Sequence, residues 1–384
     1  MNAKLSGVYR QNLMAGQMGA SMQNKNAPLQ AVSQPPLARL AEALQAEWPH
    51  ITHAAKAATD MRKSCGQQWA NFCGEDRSIV VFGSLARDEF TESSDVDWTL
   101  LVDGKADPGH LDTALQISEI VAKGPGPEGV FGNLVFSHDI VHCIGGEDDS
   151  NANTTRRILL LLESKAIGVD DAWKNVRRHI LYRYLKEDIG LRQRDNPRGV
   201  PLFLLNDISR YWRTMTVDFA YKQRTRLYEA YALKSIKLGF SRKLIYLSGV
   251  LACLRCELEF EQKALFQDSE PQRAVEHLET LFAMTPLELF ADSLLQEKCF
   301  HAGPGSEIWQ SAKQAFDAYD SFLELLADGG RREALKSLLP ENLEADEDYQ
   351  SAREQRHKFS EAVKNIFLRL ESPVQKLMLD RGVM

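Results

Sequence analysis

The segment VVFGSLARDEFTESSDVDWTLLV, residues 80–102, decides the fold. Ile79, Val80, Val81 and Phe82 form a short apolar run of the kind that makes a buried strand. Gly83 and Ser84 break it, as turn residues do. A second strand-like run spans Val96 to Val102, with Asp95 and Asp97 at its start. Strand side chains alternate between faces, so two residues two apart share one. Two carboxylates on one face repel each other unless a cation lies between them, and a divalent metal ion meets that need.

Working outward, the apolar spacing from Leu37 to Phe72 predicts one or two helices before the first strand. HLDTALQISEIVAK reads as an amphipathic helix, KGPGPEGVFG as a loop and NLVFSHDIVHCIG as a third strand. The polar loop GGEDDSNANTT comes next, with Asn153 or Thr154 suited to cap the helix of TRRILLLLES. Beyond residue 170 the strand signal nearly vanishes. Seven helical segments account for most of the remaining chain, among them PLFLLNDISRYWRTMTVDFAYKQR and SRKLIYLSGVLACLRCELEFEQKALF. The expected architecture is α+β: a polar arm over residues 1–36, a small mixed-sheet domain with leading helices over 37–170, and an all-helical domain over 171–384.

The chain has 384 residues and a formal net charge of −7, so no overall basic field marks it as a nucleic-acid binder. Its six cysteines form no small-domain disulfide framework. Cys253 and Cys256 make a C-x-x-C inside a helical pattern with no second pair to complete a zinc site, and read as buried thiols. No stretch has the length and apolarity of a membrane span, and the N-terminus lacks the apolar run of a signal peptide. A cytoplasmic protein is the expectation.

Gly83-Ser84 followed after eleven residues by Asp95-x-Asp97 resembles the signature of the polymerase-beta nucleotidyltransferase superfamily. The longer stretch GSLARDEFTESSDVD, with Arg87, Glu89 and Ser94 between turn and carboxylates, is similar to the PII uridylyltransferase and glutamine-synthetase adenylyltransferase group. The resemblance implies transfer of a nucleoside monophosphate from a nucleoside triphosphate, ATP favoured, to an acceptor hydroxyl, with Mg²⁺ (or Mn²⁺) held by Asp95 and Asp97. It favours a protein as acceptor. An RNA-modifying transferase, a maker of nucleotide second messengers, or a catalytically silent nucleotide sensor are the competing readings. Gly83 would let the chain approach the phosphates, and Ser84 and Arg87 would bind them.

The resemblance also calls for a third carboxylate on a neighbouring strand, and Asp139 is the candidate because it lies inside the third strand-like run. Glu147, Asp148 and Asp149 sit in polar loop and read as solvated. YALKSIKLGFSRKLIYLSG resembles the basic turn of the same enzymes, where Lys234 or Lys237, Gly239 and Arg242 would face the β- and γ-phosphates. In the helix of LLNDISRYWRTMTVDFAYKQR, Trp212 reads as core, while Asn206, Asp207 and Arg210 stand on an edge that could meet nucleotide.

Overall fold

The computed structural model describes residues 34–125, 130–188, 191, 199–225, 228–260, 271–301 and 303–382. Residues 1–33 of the expected arm lie outside them, as do the middle of the KGPGPEGVFG loop and the end of the helix expected over 241–266.

Four strands make one mixed sheet: β1 (Arg77–Val81), β2 (Trp98–Val102), β3 (Asn133–Phe136) and β4 (Lys165–Ile167), in the order β3-β2-β1-β4. β1 pairs antiparallel with β2 and β4, whereas β2 and β3 run parallel. A parallel pair needs a crossover, and the helix Pro108–Ile120 supplies it, its first turn capped by Asp107.

Both faces of the sheet are covered, which explains why Ile79–Val81 and Leu100–Val102 are consecutive apolar runs rather than alternating. Ile79, Val81, Leu100 and Val102 pack with Ala58, Cys65 and Trp69 at the helix Pro49–Gln68, and with Ile117 of the crossover helix. Val80, Leu101 and Val135 face the other way, into a core that includes Ile158, Ile180, Ile208, Phe240, Tyr319 and Phe359. This second core is continuous across residue 170, and residues 35–384 form a single compact unit. The leading helices join the helical half as well. The Trp48 indole donates to Asp317 (2.9 Å), and the Ile51 amide to Asp320 (2.9 Å). Every described regular element beyond Ile167 is helical.

Three local expectations are corrected. The run NLVFSHDIVHCIG is a strand only to Phe136; residues Ser137–His142 are a helix. Once Ile140 and Val141 turn inward together, helical packing wins over alternation. The helix over TRRILLLLES begins at Asn151, and its cap is Ser150, whose hydroxyl accepts from the Asn153 amide (3.1 Å). A helix not expected from the sequence, Gly329–Ser337, starts despite two glycines because Asp328 accepts from the Arg331 amide (3.0 Å). The expected buried thiols are found: all six cysteines are free, with Cys253 and Cys256 inside the helix Lys243–Glu259.

Candidate active site

The antiparallel register of β1 and β2 builds the acidic side of a cleft. Val81 opposes Trp98, and one step further the Phe82 amide donates to the Asp97 carbonyl (2.9 Å). Asp97 therefore lies beside Gly83, the second residue after the strand. Gly83 has φ +64°, a left-handed conformation that favours glycine. A Cβ there would also stand 2.4 Å from Asp97 Oδ2, so any side chain would push the carboxylate out of its place. Gly83 is needed on both counts.

The Asp97 carboxylate receives no hydrogen bond or ion pair from the described residues, and it is pushed up to about 6. Burial is the main cause, and the negative charge of Glu163 adds to it. Asp95, two residues earlier, is half exposed and pairs with Lys123 (3.1 Å) at the rim. A half-buried carboxylate short of partners beside a second carboxylate fits a divalent cation. Among the described residues no group of three or more His, Cys, Asp or Glu could hold a metal ion. Asp95 and Asp97 would thus be its protein ligands, leaving positions for phosphate oxygens and water, as Mg²⁺ prefers.

The opposite wall is basic and comes from the helical half. Lys237, Ser241, Arg242 and Arg332 line the same cleft as Gly83, Ser84, Arg87, Ser94, Asp95 and Asp97. Lys237 and Arg242 are five residues apart, a spacing that an α-helix spreads by about 140° around its axis. Here residues Leu238–Arg242 form a π-turn between the helices Tyr231–Lys237 and Lys243–Glu259. Its wider winding brings residues five apart towards one face, and such turns recur at functional sites. The expected glycine turn is thus helical. Gly239 serves it by having no side chain, since a Cβ would lie 2.2 Å from Cδ of Arg356 on the neighbouring helix Glu347–Lys364.

Lys237 has its ammonium pushed down to about 7, chiefly by burial and then by Arg332, Arg242 and Arg87. So many cations around one lysine are costly without an anion. Arg242 contacts Met215 Sδ (3.6 Å). Arg332, from the unexpected helix Gly329–Ser337, donates to Thr91 Oγ1 (3.0 Å) in the loop that leads to Asp95. No motif marks it; only a basic residue in a segment without recognised periodicity could have drawn attention. Lys234 does not line the cleft and donates to the Glu229 carbonyl (3.0 Å).

Arg87 sits at the junction of the two walls. Its guanidinium is held by Glu89 (2.8 and 3.0 Å) and by Glu163. Burial opposes its charge, and the two carboxylates more than offset that. Glu89 also accepts from Ser241 (3.0 Å) and from the Tyr319 hydroxyl (2.6 Å), both in the helical half. Arg87 lines the cleft, and with three of its five N–H donors given to these carboxylates it also braces the walls. Neither Glu89 nor Glu163 is a free metal ligand.

Asp139 is exposed on the helix Ser137–His142 and is not among the residues lining the cleft. The strand alternation that would have put it on the face of Asp95 and Asp97 does not exist. Asp149, read as solvated, is buried and bound by Arg157 (2.9 and 3.1 Å) and Arg210 (3.3 Å). Asp207 shares Arg157 (2.9 Å) and accepts from Tyr184 (2.5 Å). Asp207 and Arg210 thus help tie the helix Asn151–Leu162 to the helix Leu202–Thr225 instead of forming an edge open to nucleotide.

The cleft measures about 80 Å³. Ligand pockets commonly run from roughly 300 to 1,000 Å³. It has room for phosphates and ions, not for a whole nucleotide. No curated protein and no solved structure matches the chain. Residues 60–127, which carry Gly83, Ser84, Asp95 and Asp97, match the family model of the nucleotidyltransferase domain, and the chain is an enzyme of the nucleotidyltransferase class.

Proposed function

We propose that the protein moves a nucleoside monophosphate, AMP in preference, from a nucleoside triphosphate to a hydroxyl on a protein acceptor, in the cytoplasm and with Mg²⁺ or Mn²⁺. One observation carries the reading: Asp97, whose carboxylate no described residue bonds, and Asp95, paired with Lys123 at the rim, face three cations across a cleft of phosphate size. Asp95 and Asp97 would hold the ion, which when bound would supply neutralisation of triphosphate charge and favour attack by an oxygen nucleophile. Lys237, Arg242 and Arg332 bind the β- and γ-phosphates and hold the leaving pyrophosphate in line. Ser84 adds a hydrogen bond, and Gly83 keeps the Asp97 carboxylate at the turn. Asp139 is not retained as a third carboxylate, because it lies on an exposed helix away from the cleft lining.

The nucleoside is larger than the cleft, so the helical wall must open to admit the triphosphate. The net charge of −7 favours a protein acceptor over RNA, whose binding rests on basic surface. The test is incubation of the purified chain with each labelled nucleoside triphosphate, Mg²⁺ or Mn²⁺, and cell extract. Label from ATP on a protein band, absent with Asp97→Asn, is the expected result. Label on RNA or in a small product would overturn the acceptor assignment. No transfer with any nucleotide would overturn the reaction.

A further inference from the structure

A second cavity of about 170 Å³ lies behind the basic wall, lined by Phe240, Ser321, Phe322, Glu324, Leu325, Arg331, Ser351, Ala352 and Gln355. Its relation to the cleft is written in the chain. Phe240, Leu325 and Arg331 line the cavity, and their sequence neighbours Ser241, Leu326 and Arg332 line the cleft. Three pairs of consecutive residues therefore form a shared partition. Two of the three cleft-side members are polar groups tied to the acidic wall: Ser241 through Glu89, and Arg332 through Thr91.

The chemistry of the cavity is amphiphilic and carries both signs of charge. Phe322, Leu325 and Ala352 are buried apolar surface. The polar side is open: Glu324 and Ser351 are exposed and Gln355 is half-buried, and among the described residues nothing bonds to the Glu324 carboxylate, the Ser351 hydroxyl or the Gln355 amide, so only water competes with a ligand there. Arg331 gives Nε to Asp348 (2.9 Å), and no bond from its terminal nitrogens to a described residue competes for a ligand. A cavity of this size has room for about six water-sized groups. An ammonium suits Glu324, a carboxylate suits Arg331, and a short apolar side chain suits the phenylalanines.

We propose that this cavity binds a small zwitterion of amino-acid size, and that its occupancy alters the affinity of the cleft for nucleoside triphosphate. The coupling half of the proposal rests on the nucleotide reading of the cleft; the binding half does not. A ligand that draws on Arg331 shifts the first turn of the helix Gly329–Ser337 and with it Arg332. One that packs against Phe240 shifts the π-turn that carries Lys237 and Arg242. Coupling of this kind is reciprocal, so nucleotide must change the affinity for the zwitterion by the same factor.

The test is calorimetric titration of the full chain with each proteinogenic L-amino acid at millimolar concentration, with and without a non-hydrolysable ATP analogue and Mg²⁺. At least one amino acid should bind saturably. Its Kd should rise at least tenfold in Glu324→Gln, which removes the carboxylate charge, and in Ser351→Trp, which fills the exposed mouth. Both variants should keep the wild-type Tm and amino-acid-free transfer activity. The bound amino acid should change the Kd of the analogue at least threefold in the wild type and not in Ser351→Trp. Absence of binding by every amino acid, or binding undiminished in both variants, overturns the site. Amino-acid binding with an unchanged analogue Kd overturns the coupling. Failure of the analogue to bind under any condition overturns the nucleotide reading, while the amino-acid titration still decides the cavity independently.

Discussion

The two walls of the cleft hold opposite charges and are built in opposite ways. The acidic wall comes from one continuous stretch in which β1, the Gly83 turn and β2 are near neighbours in sequence, and antiparallel pairing alone brings Gly83 against Asp97. The basic wall draws Lys237 and Arg242 from a π-turn, and Arg332 from a helix some ninety residues further on. Each wall is strained by its own charge. Burial leaves Asp97 partly protonated near pH 6, and burial together with the crowded cations brings Lys237 to about 7. A Mg²⁺–triphosphate complex relieves both at once, which is the electrostatic reason for a bipartite site.

The largest effect that separates the walls is expected from Asp97→Asn. Transfer should fall by about a thousandfold or more, as befits loss of a ligand to the charge-neutralising ion. The metal-free protein should nevertheless gain roughly 1–3 kcal/mol at neutral pH, because the buried charge is gone. Turnover and thermal melts on one preparation check both. A loss of stability would mean that Asp97 is a structural residue.

Next is Gly83→Ala, which challenges the turn that places the carboxylate. Positive φ and the 2.4 Å approach to Asp97 predict a cost of about 1–3 kcal/mol, together with a large loss of kcat. Unchanged denaturant midpoint and unchanged kcat would show that the turn is not the constraint described.

Variants of the basic wall should behave differently. Lys237→Met, Arg242→Ala and Arg332→Ala should each raise the KM for nucleotide by about ten- to a hundredfold and lower kcat less, because these contacts exist before the transition state as well as in it. Arg332→Ala has a second consequence, since it frees the Thr91–Ser94 loop: its kcat should fall further than that of Arg242→Ala. Equal kcat in the two variants would remove the loop-holding role from Arg332.

The dependence on pH sharpens the comparison further. kcat/KM reports the free enzyme. It should rise as Asp97 ionises near pH 6 and fall as Lys237 loses its proton near pH 7. More Mg²⁺ should move the acid limb to lower pH, because the ion favours the carboxylate. Metal-free stability is tied to the same groups by linkage. Asp97 binds more protons folded than unfolded between about pH 4 and 6, so stability relative to Asp97→Asn should drop as pH rises through that window. Lys237 has the opposite sign: its folded form is deprotonated between about pH 7 and 10.5, where stability relative to Lys237→Met should rise with pH. An acid limb that stays fixed as Mg²⁺ increases would count against Asp97 as the titrating ligand.

The smallest effects should come from Asp139→Ala and Lys234→Ala, whose residues lie off the cleft lining. Both should retain transfer within about twofold of wild type. A hundredfold loss in Asp139→Ala would restore a third carboxylate and require the helix Ser137–His142 to move.

The sequence by itself determined the acidic wall and the α+β class. Strand, glycine turn and paired carboxylates lie within about twenty-five residues, so their geometry follows from strand periodicity and one hairpin-like register. The resemblance it carries also pointed to Lys234 or Lys237 with Arg242 as a basic group, without saying which lysine or by what geometry. Only the tertiary structure decided the rest. Whether Ser137–His142 is strand or helix depends on which neighbours bury Ile140 and Val141, because a short apolar run supports either period. Asp149 and Asp207 look alike in sequence to solvated carboxylates until Arg157, from a third segment, arrives between them. Arg332 acquires its place only when the helix Gly329–Ser337 docks beside the Thr91–Ser94 loop, more than two hundred residues away in the chain. Charges set by partners this distant leave no local pattern. Their roles are fixed by packing, which brings the partners within hydrogen-bonding distance and removes the water that would otherwise have satisfied them.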